Sequence, residues 1–203
     1  MVSGGVIWIA WPLVAGLVVF WQMRPNGRRG PTGGARHARW LQTVVAVALA
    51  TYAWWICSVA FFPLPLGDSG AASAAEFAGR AWVNVVPFRE LLRALPRMGA
   101  AQIIREFGGN VLLLVPFTLA GPLLWARLRT WRWPLAAGLG GSLAIESIQL
   151  ALSGLVGFPY RQTDVDDVIL NTFGAFLGYA VSLAVIALAR RTSRRPAADA
   201  SPQ

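Results

Sequence analysis

The chain has 203 residues, 56% of them hydrophobic and only 13% charged, with a mean hydropathy of +0.52. Soluble domains carry about 25% charged residues, so this composition excludes the ordinary soluble class and points to an integral membrane protein. The net charge of +9 does not argue for a nucleic-acid partner: all 18 basic residues are arginines, gathered at the ends of apolar runs.

Five apolar stretches, at 4–23, 41–62, 108–126, 134–154 and 168–189, are each long enough to cross a bilayer core, which takes about 20 helical residues. The first lacks a basic leader and a small-residue cleavage site, and its arginines follow it, so a retained span is expected rather than a signal peptide. The connector 24–40 is rich in Gly, Pro and Arg and includes His37, read as a solvated loop residue. Cys57 stands alone in the second stretch, so no disulfide and no cysteine metal site can form within one chain. In the long segment 63–107, Phe88, Leu91, Leu92 and Leu95 recur at helical spacing opposite Arg89, Glu90 and Arg93. This predicts a short amphipathic helix on the membrane surface, interrupted near Pro96.

Arginines set the orientation. Loops 24–40 and 127–133 and the tail after 189 hold twelve of them against one acid, Asp199. The segments 63–107 and 155–167 hold six arginines against seven acids. The positive-inside rule makes the first set cytoplasmic, with the N-terminus out and the C-terminus in. The architecture expected is an all-α, five-span helical bundle with an outer amphipathic helix.

Ionisable and amide side chains inside a span are costly and face a bundle interior or a wet cavity. On the fourth span Ser142, Glu146, Gln149 and Ser153 follow one helix face at offsets of 4, 7 and 11 residues. Asp167, Asn171, Gly174 and Gly178 do the same on the fifth. The third span carries Asn110 near its outer end. Asn110, Glu146, Gln149 and Asn171 are therefore expected to meet in the outer half of the membrane, beneath a rim of Arg161, Asp164, Asp166 and Asp167. A lone carboxylate in a span needs a partner, and Arg161 is the nearest cation for Glu146. Each reading has a plainer counterpart. Gly174 and Gly178 suit close helix packing, Asp164 or Asp166 suits an N-cap, Asp166 and Asp167 suit the first turn of a helix, and the amides suit interhelical hydrogen bonds.

Taken together, Asn84-Val85-Val86-Pro87-Phe88, Gly109-Asn110 through Val115-Pro116-Phe117, Glu146-x-x-Gln149, and Arg161-x-x-Asp164-x-Asp166-Asp167-x-x-x-Asn171-x-x-Gly174-x-x-x-Gly178 resemble the VanZ-like family of membrane proteins. The resemblance covers about residues 80–180 and adds Asn84 to the candidate site. Thr118 stands where the family usually has glycine. The organisation expected is two spans with a basic loop over 1–62, a VanZ-like membrane domain over 80–189, and a basic, disordered cytoplasmic tail over 190–203. The resemblance implies a multi-pass protein of the cell membrane, and the name-giving member is linked to teicoplanin resistance that leaves the D-Ala-D-Ala target unchanged. It implies no particular reaction.

Three function classes follow. A non-catalytic binding protein would engage an anionic headgroup, a lipid-linked cell-wall precursor or a lipoglycopeptide, with membrane lipids around it and Arg161 pairing a phosphate or carboxylate. An intramembrane enzyme would act on a lipid-linked or phosphorylated substrate through a divalent cation on Asp164, Asp166, Asp167 and Glu146. A transporter would show inverted repeats, and the sequence has none evident. No cofactor beyond that divalent cation is suggested, and the binding protein is the expectation.

Overall fold

The computed structural model describes residues 33–66 and 68–193. The expected first span 4–23 and the tail beyond 193 lie outside these residues. The described chain runs α1 (Gly33–Phe61), α2 (Asp68–Glu76), β1 (Val83–Asn84), α3 (Arg89–Ala94), α4 (Ala100–Ile103), α5 (Gly109–Leu113), α6 (Val115–Leu124), α7 (Arg132–Leu135), α8 (Gly141–Val156), β2 (Thr163–Asp164) and α9 (Val165–Ser193). Two π-helical turns, Ile104–Gly108 and Ala136–Gly140, join α4 to α5 and α7 to α8.

Among the described residues, four helical runs are long and apolar enough to cross a membrane: Arg39–Phe61, Ala100–Leu124, Arg132–Val156 and Val165–Arg191. They correspond to the second to fifth expected stretches, with two displaced boundaries. Helix α1 begins at Gly33, so residues 33–40 of the expected connector loop, His37 among them, are helical. The Ala100–Leu124 run begins eight residues before the apolar stretch does. Arg105 and Glu106 are exposed in its first turns, and Gln102 Nε2 donates to Glu106 Oε1 at 3.0 Å, so helical hydrogen bonding continues where hydropathy stops. The short amphipathic helix is present as α3, followed by a 3₁₀ turn at Leu95–Arg97 that contains Pro96. Phe88, Leu92 and Leu95 are exposed on it.

Burial along α8 and α9 is inverted relative to a soluble protein. Ser142, Glu146, Ser153, Asn171 and Ser182 are buried, whereas Leu143, Ile148, Leu155, Phe173, Leu177 and Leu188 are exposed. Helices with polar and small side chains inward and hydrocarbon outward suit a lipid solvent.

Contacts divide the chain into two units. One joins the described residues up to Pro87 with Ala144–Val165; the other joins Phe88–Leu143 with the described residues from Asp166 onward. In the first, β1 and β2 form a two-residue parallel ladder that pairs Val83 with Thr163 and Asn84 with Asp164. The all-α expectation omitted it, because two residues are too few to show a strand period. The Phe77 and Phe158 rings stack nearby at 6.1 Å between centroids.

In the second unit the helices approach at glycines. A Cβ on Gly174 would collide with the Val111 carbonyl, and one on Gly178 would lie 2.5 Å from Thr118 Oγ1 and 2.7 Å from the Val115 oxygen. Gly138 meets Thr172 in the same way, at 2.8 Å from its Cα. The chain opposite Gly174 and Gly178 breaks at Leu114, with φ −105° and ψ −4°, just before Pro116 opens α6. Proline has no amide with which to continue the ladder of α5. Thr118, where the sequence departs from the family pattern, is buried beside this break, its hydroxyl 3.2 Å from the carbonyls of both Leu114 and Val115.

Candidate functional site

The expected site residues fall into two hydrogen-bonded networks, one in each unit. In the first unit the end of α1 organises the arrangement. A helix leaves its last four carbonyls without backbone partners. Three of these are met by side chains: Arg161 Nη2 donates to the Val59 oxygen at 2.9 Å, Gln149 Nε2 to Ala60 at 3.1 Å, and Tyr160 OH to Phe61 at 3.3 Å. The guanidinium also adds a positive charge at the negative end of the helix dipole. Arg161, expected beside Glu146, is thus turned toward α1. Ser153 Oγ, one turn beyond Gln149 on α8, donates to the Arg161 carbonyl at 3.1 Å and fixes the loop from within.

Glu146 meets the same loop differently. Its Oε2 accepts the Asp164 amide proton at 3.0 Å, while Thr163 Oγ1 donates to the Glu146 carbonyl at 3.4 Å. Asp164 Oδ1 in turn accepts from Asn84 Nδ2 at 2.9 Å, and Asn84 Oδ1 takes the Val86 amide at 3.2 Å. Asn84 is only 1% exposed and Glu146 4%. Their hydrogen bonds and the β1–β2 ladder hold one loop against α8.

The second unit contains the other set. Asp166 is 3% exposed, and its Oδ1 accepts the Phe88 amide at 2.6 Å. Phe88 sits at φ 59° as the residue before α3, a left-handed conformation that a bulky side chain adopts only when it is held there. Asp167 Oδ1 accepts from Asn110 Nδ2, Ser142 Oγ reaches the Asp167 carbonyl at 3.5 Å, and Asn171 Nδ2 donates to Ser142 Oγ at 2.9 Å. Asn171 Oδ1 is buried without a hydrogen-bond partner.

These bonds bear on the metal reading. The carboxylates of Glu146, Asp164, Asp166 and Asp167 each accept from an amide donor of the chain. Among the described residues, no three His, Cys, Asp or Glu side chains come together to hold a metal ion.

Beside Arg161 in the first unit lies an open cavity of about 410 Å³. Arg80, Arg161, Tyr160 and Ser73 supply its polar atoms, and Pro65 and Phe77 are among its apolar lining. A volume of this size, mostly apolar with a few convergent donors, is typical of a small-ligand site. The Arg80 guanidinium is stacked 4.4 Å from the Phe77 ring centroid. Burial pushes the Tyr160 phenol above its ordinary pKa, and Arg161 offsets part of that rise, so at neutral pH the phenol is protonated and can donate. Sequence reasoning missed Arg80 and Tyr160. The available signals were Tyr160 adjoining Arg161, and an arginine three residues after Phe77 on the acid-balanced side of the chain.

A sequence model of the family described as VanZ/LLP1 matches residues 48–187, about two thirds of the chain. The match begins inside α1 and so takes in more of the chain than the motifs do. No curated protein and no solved structure matches.

Proposed function

The chain belongs to the VanZ/LLP1 family of membrane proteins, and from that premise we propose that it is a non-catalytic, multi-pass protein of the cell membrane that binds an anionic amphiphile at the outer surface and contributes to teicoplanin-type resistance. The amphiphile is a lipid headgroup, a lipid-linked wall precursor or the lipoglycopeptide itself. The observation that carries this reading is the placement of Arg161. One of its guanidinium donors is held by the Val59 carbonyl while the residue borders an open cavity. A cation fixed in this way loses little side-chain entropy when it pairs with a phosphate or carboxylate. The arginine asymmetry along the chain supports an outward position for the cavity.

The metal-dependent enzyme has less support, because the four carboxylates it requires already accept hydrogen bonds from the chain. The test compares teicoplanin susceptibility of cells carrying wild type or Arg161→Ala, with the amount of membrane-inserted protein matched. The expected outcome is that the variant gives no more protection than an empty vector. Wild-type protection by Arg161→Ala would rule the proposal out.

A further inference from the structure

The cavity beside Arg161 does not stand alone. A second, of about 430 Å³, is lined by residues including Leu66, Ala74, Leu155, Val156 and Phe158, and no ionisable side chain is among those lining it. Pro65 borders both. So does the stacked aromatic pair, with Phe77 lining the first cavity and Phe158 the second. A cationic chamber and an uncharged one thus adjoin across a single proline and a ring stack. Leu155 and Leu66 are strongly exposed at the uncharged side, 83% and 44%.

The charges in the first chamber select the head of the ligand. Two guanidiniums line it and none of the described lining residues is acidic. Each guanidinium has five N–H donors, and one from Arg161 is committed to Val59. The Ser73 hydroxyl adds a further donor, whereas the Tyr160 hydroxyl is committed to the Phe61 carbonyl. A lone carboxylate brings two oxygens and one charge to this set. A phosphate monoester brings three free oxygens and between one and two charges, which matches two arginines better. The exposed Leu66 and Leu155 side chains at the second, more open recess offer an apolar surface to hydrocarbon.

We infer that the segments 63–66, 73–80 and 155–161 form a binding site for a phosphate-bearing lipid, with Arg80 and Arg161 holding the phosphate and the exposed Leu66 and Leu155 side chains receiving the start of the hydrocarbon chain. The inference rests on the proposed function for Arg161 and narrows its ligand from any anionic amphiphile to a lipid with a terminal phosphate monoester. Arg80 becomes the specificity-determining residue, because it supplies the second charge.

The test uses the full-length protein in nanodiscs of neutral phosphatidylcholine. Binding of a fluorescent short-chain phosphatidic acid is measured, with unlabelled inorganic phosphate and a fatty acid of equal chain length as competitors. Saturable binding of the phosphatidic acid is expected, with both competitors at least about tenfold weaker. Arg80→Gln should weaken binding by about tenfold or more, because it removes one charged partner. Leu155→Ser should weaken the lipid and leave inorganic phosphate unchanged. Arg80 is exposed, so its variant is not expected to disturb folding, and an unchanged thermal midpoint checks this. Equal competition by inorganic phosphate would overturn the lipid part of the inference, and equal competition by the fatty acid would overturn the phosphate part. Undiminished binding by Arg80→Gln would overturn the two-arginine seat while leaving the proposed function intact if Arg161→Gln still binds less. Conversely, phosphatidic acid binding as expected, in a protein whose Arg161→Ala form still protects cells, would support the site and remove the role in resistance.

Discussion

Glu146 on α8 and Asp164 on β2 show how carboxylates can be held by donors of the chain itself. Glu146 Oε2 accepts from the amide of Asp164, and Asp164 Oδ1 accepts from Asn84, so each carboxyl group has hydrogen bonds to the chain. This makes the acceptor oxygen the structural requirement at position 146. Glu146→Gln keeps an acceptor there and should lower stability by about 1 kcal/mol or less, whereas Glu146→Ala removes the acceptor of the half-buried Asp164 amide and should cost about 1–3 kcal/mol. Thermal unfolding of the two variants in the same detergent checks the order, and equal losses would mean the charge itself is required. The spacing of polar residues showed in advance that Glu146 would face inward. It could not show that the partner is a backbone amide eighteen residues on, because backbone donors carry no mark in a sequence. The same blindness applied to Arg161, whose acceptor is the carbonyl of Val59.

At the scale of helices, small residues decide what can touch. Gly174 and Gly178 were legible as a packing face from their four-residue spacing alone. The structure adds what lies opposite, the broken segment around Val111–Thr118, which Pro116 and the Thr118 hydroxyl shape. Gly174→Ala would drive a methyl group into the Val111 carbonyl and is expected to destabilise the protein by about 1–3 kcal/mol. Gly154→Ala meets nothing within 4 Å and should be neutral or slightly stabilising, since glycine is a poor helix former. Detergent melting curves of this pair separate packing from propensity; a Gly174→Ala protein that melts with wild type would contradict the close approach. The start of the Ala100–Leu124 run was less legible. Hydropathy reports where lipid could begin, whereas a helix ends where its hydrogen bonds end, and Arg105 and Glu106 sit between the two limits.

For the molecule as a whole, the arginine distribution predicts that the turn at 126–131 is cytoplasmic and that the segment around residue 81 is outside. With Cys57 replaced by serine, Ala81→Cys should react with a membrane-impermeant maleimide in intact cells, and Thr130→Cys only after the membrane is opened. The reverse pattern would invert the orientation and place the Arg80–Arg161 cavity on the cytoplasmic side. Composition and hydropathy by themselves determined that this is a helical membrane protein, and motif order and spacing determined its family, because long apolar runs have few other ways to satisfy their backbone. Periodicity also determined which faces of the last two helices turn inward. Only the tertiary structure decided how the inward residues pair: Asn84 with Asp164, Asn110 with Asp167, and three side chains on the end of α1. Only it brought Arg80 and Arg161, eighty-one positions apart, to one cavity. The physical reason is that burial of a face follows from local pattern, whereas the partners across that face are chosen by loops and chain breaks whose geometry no local period encodes.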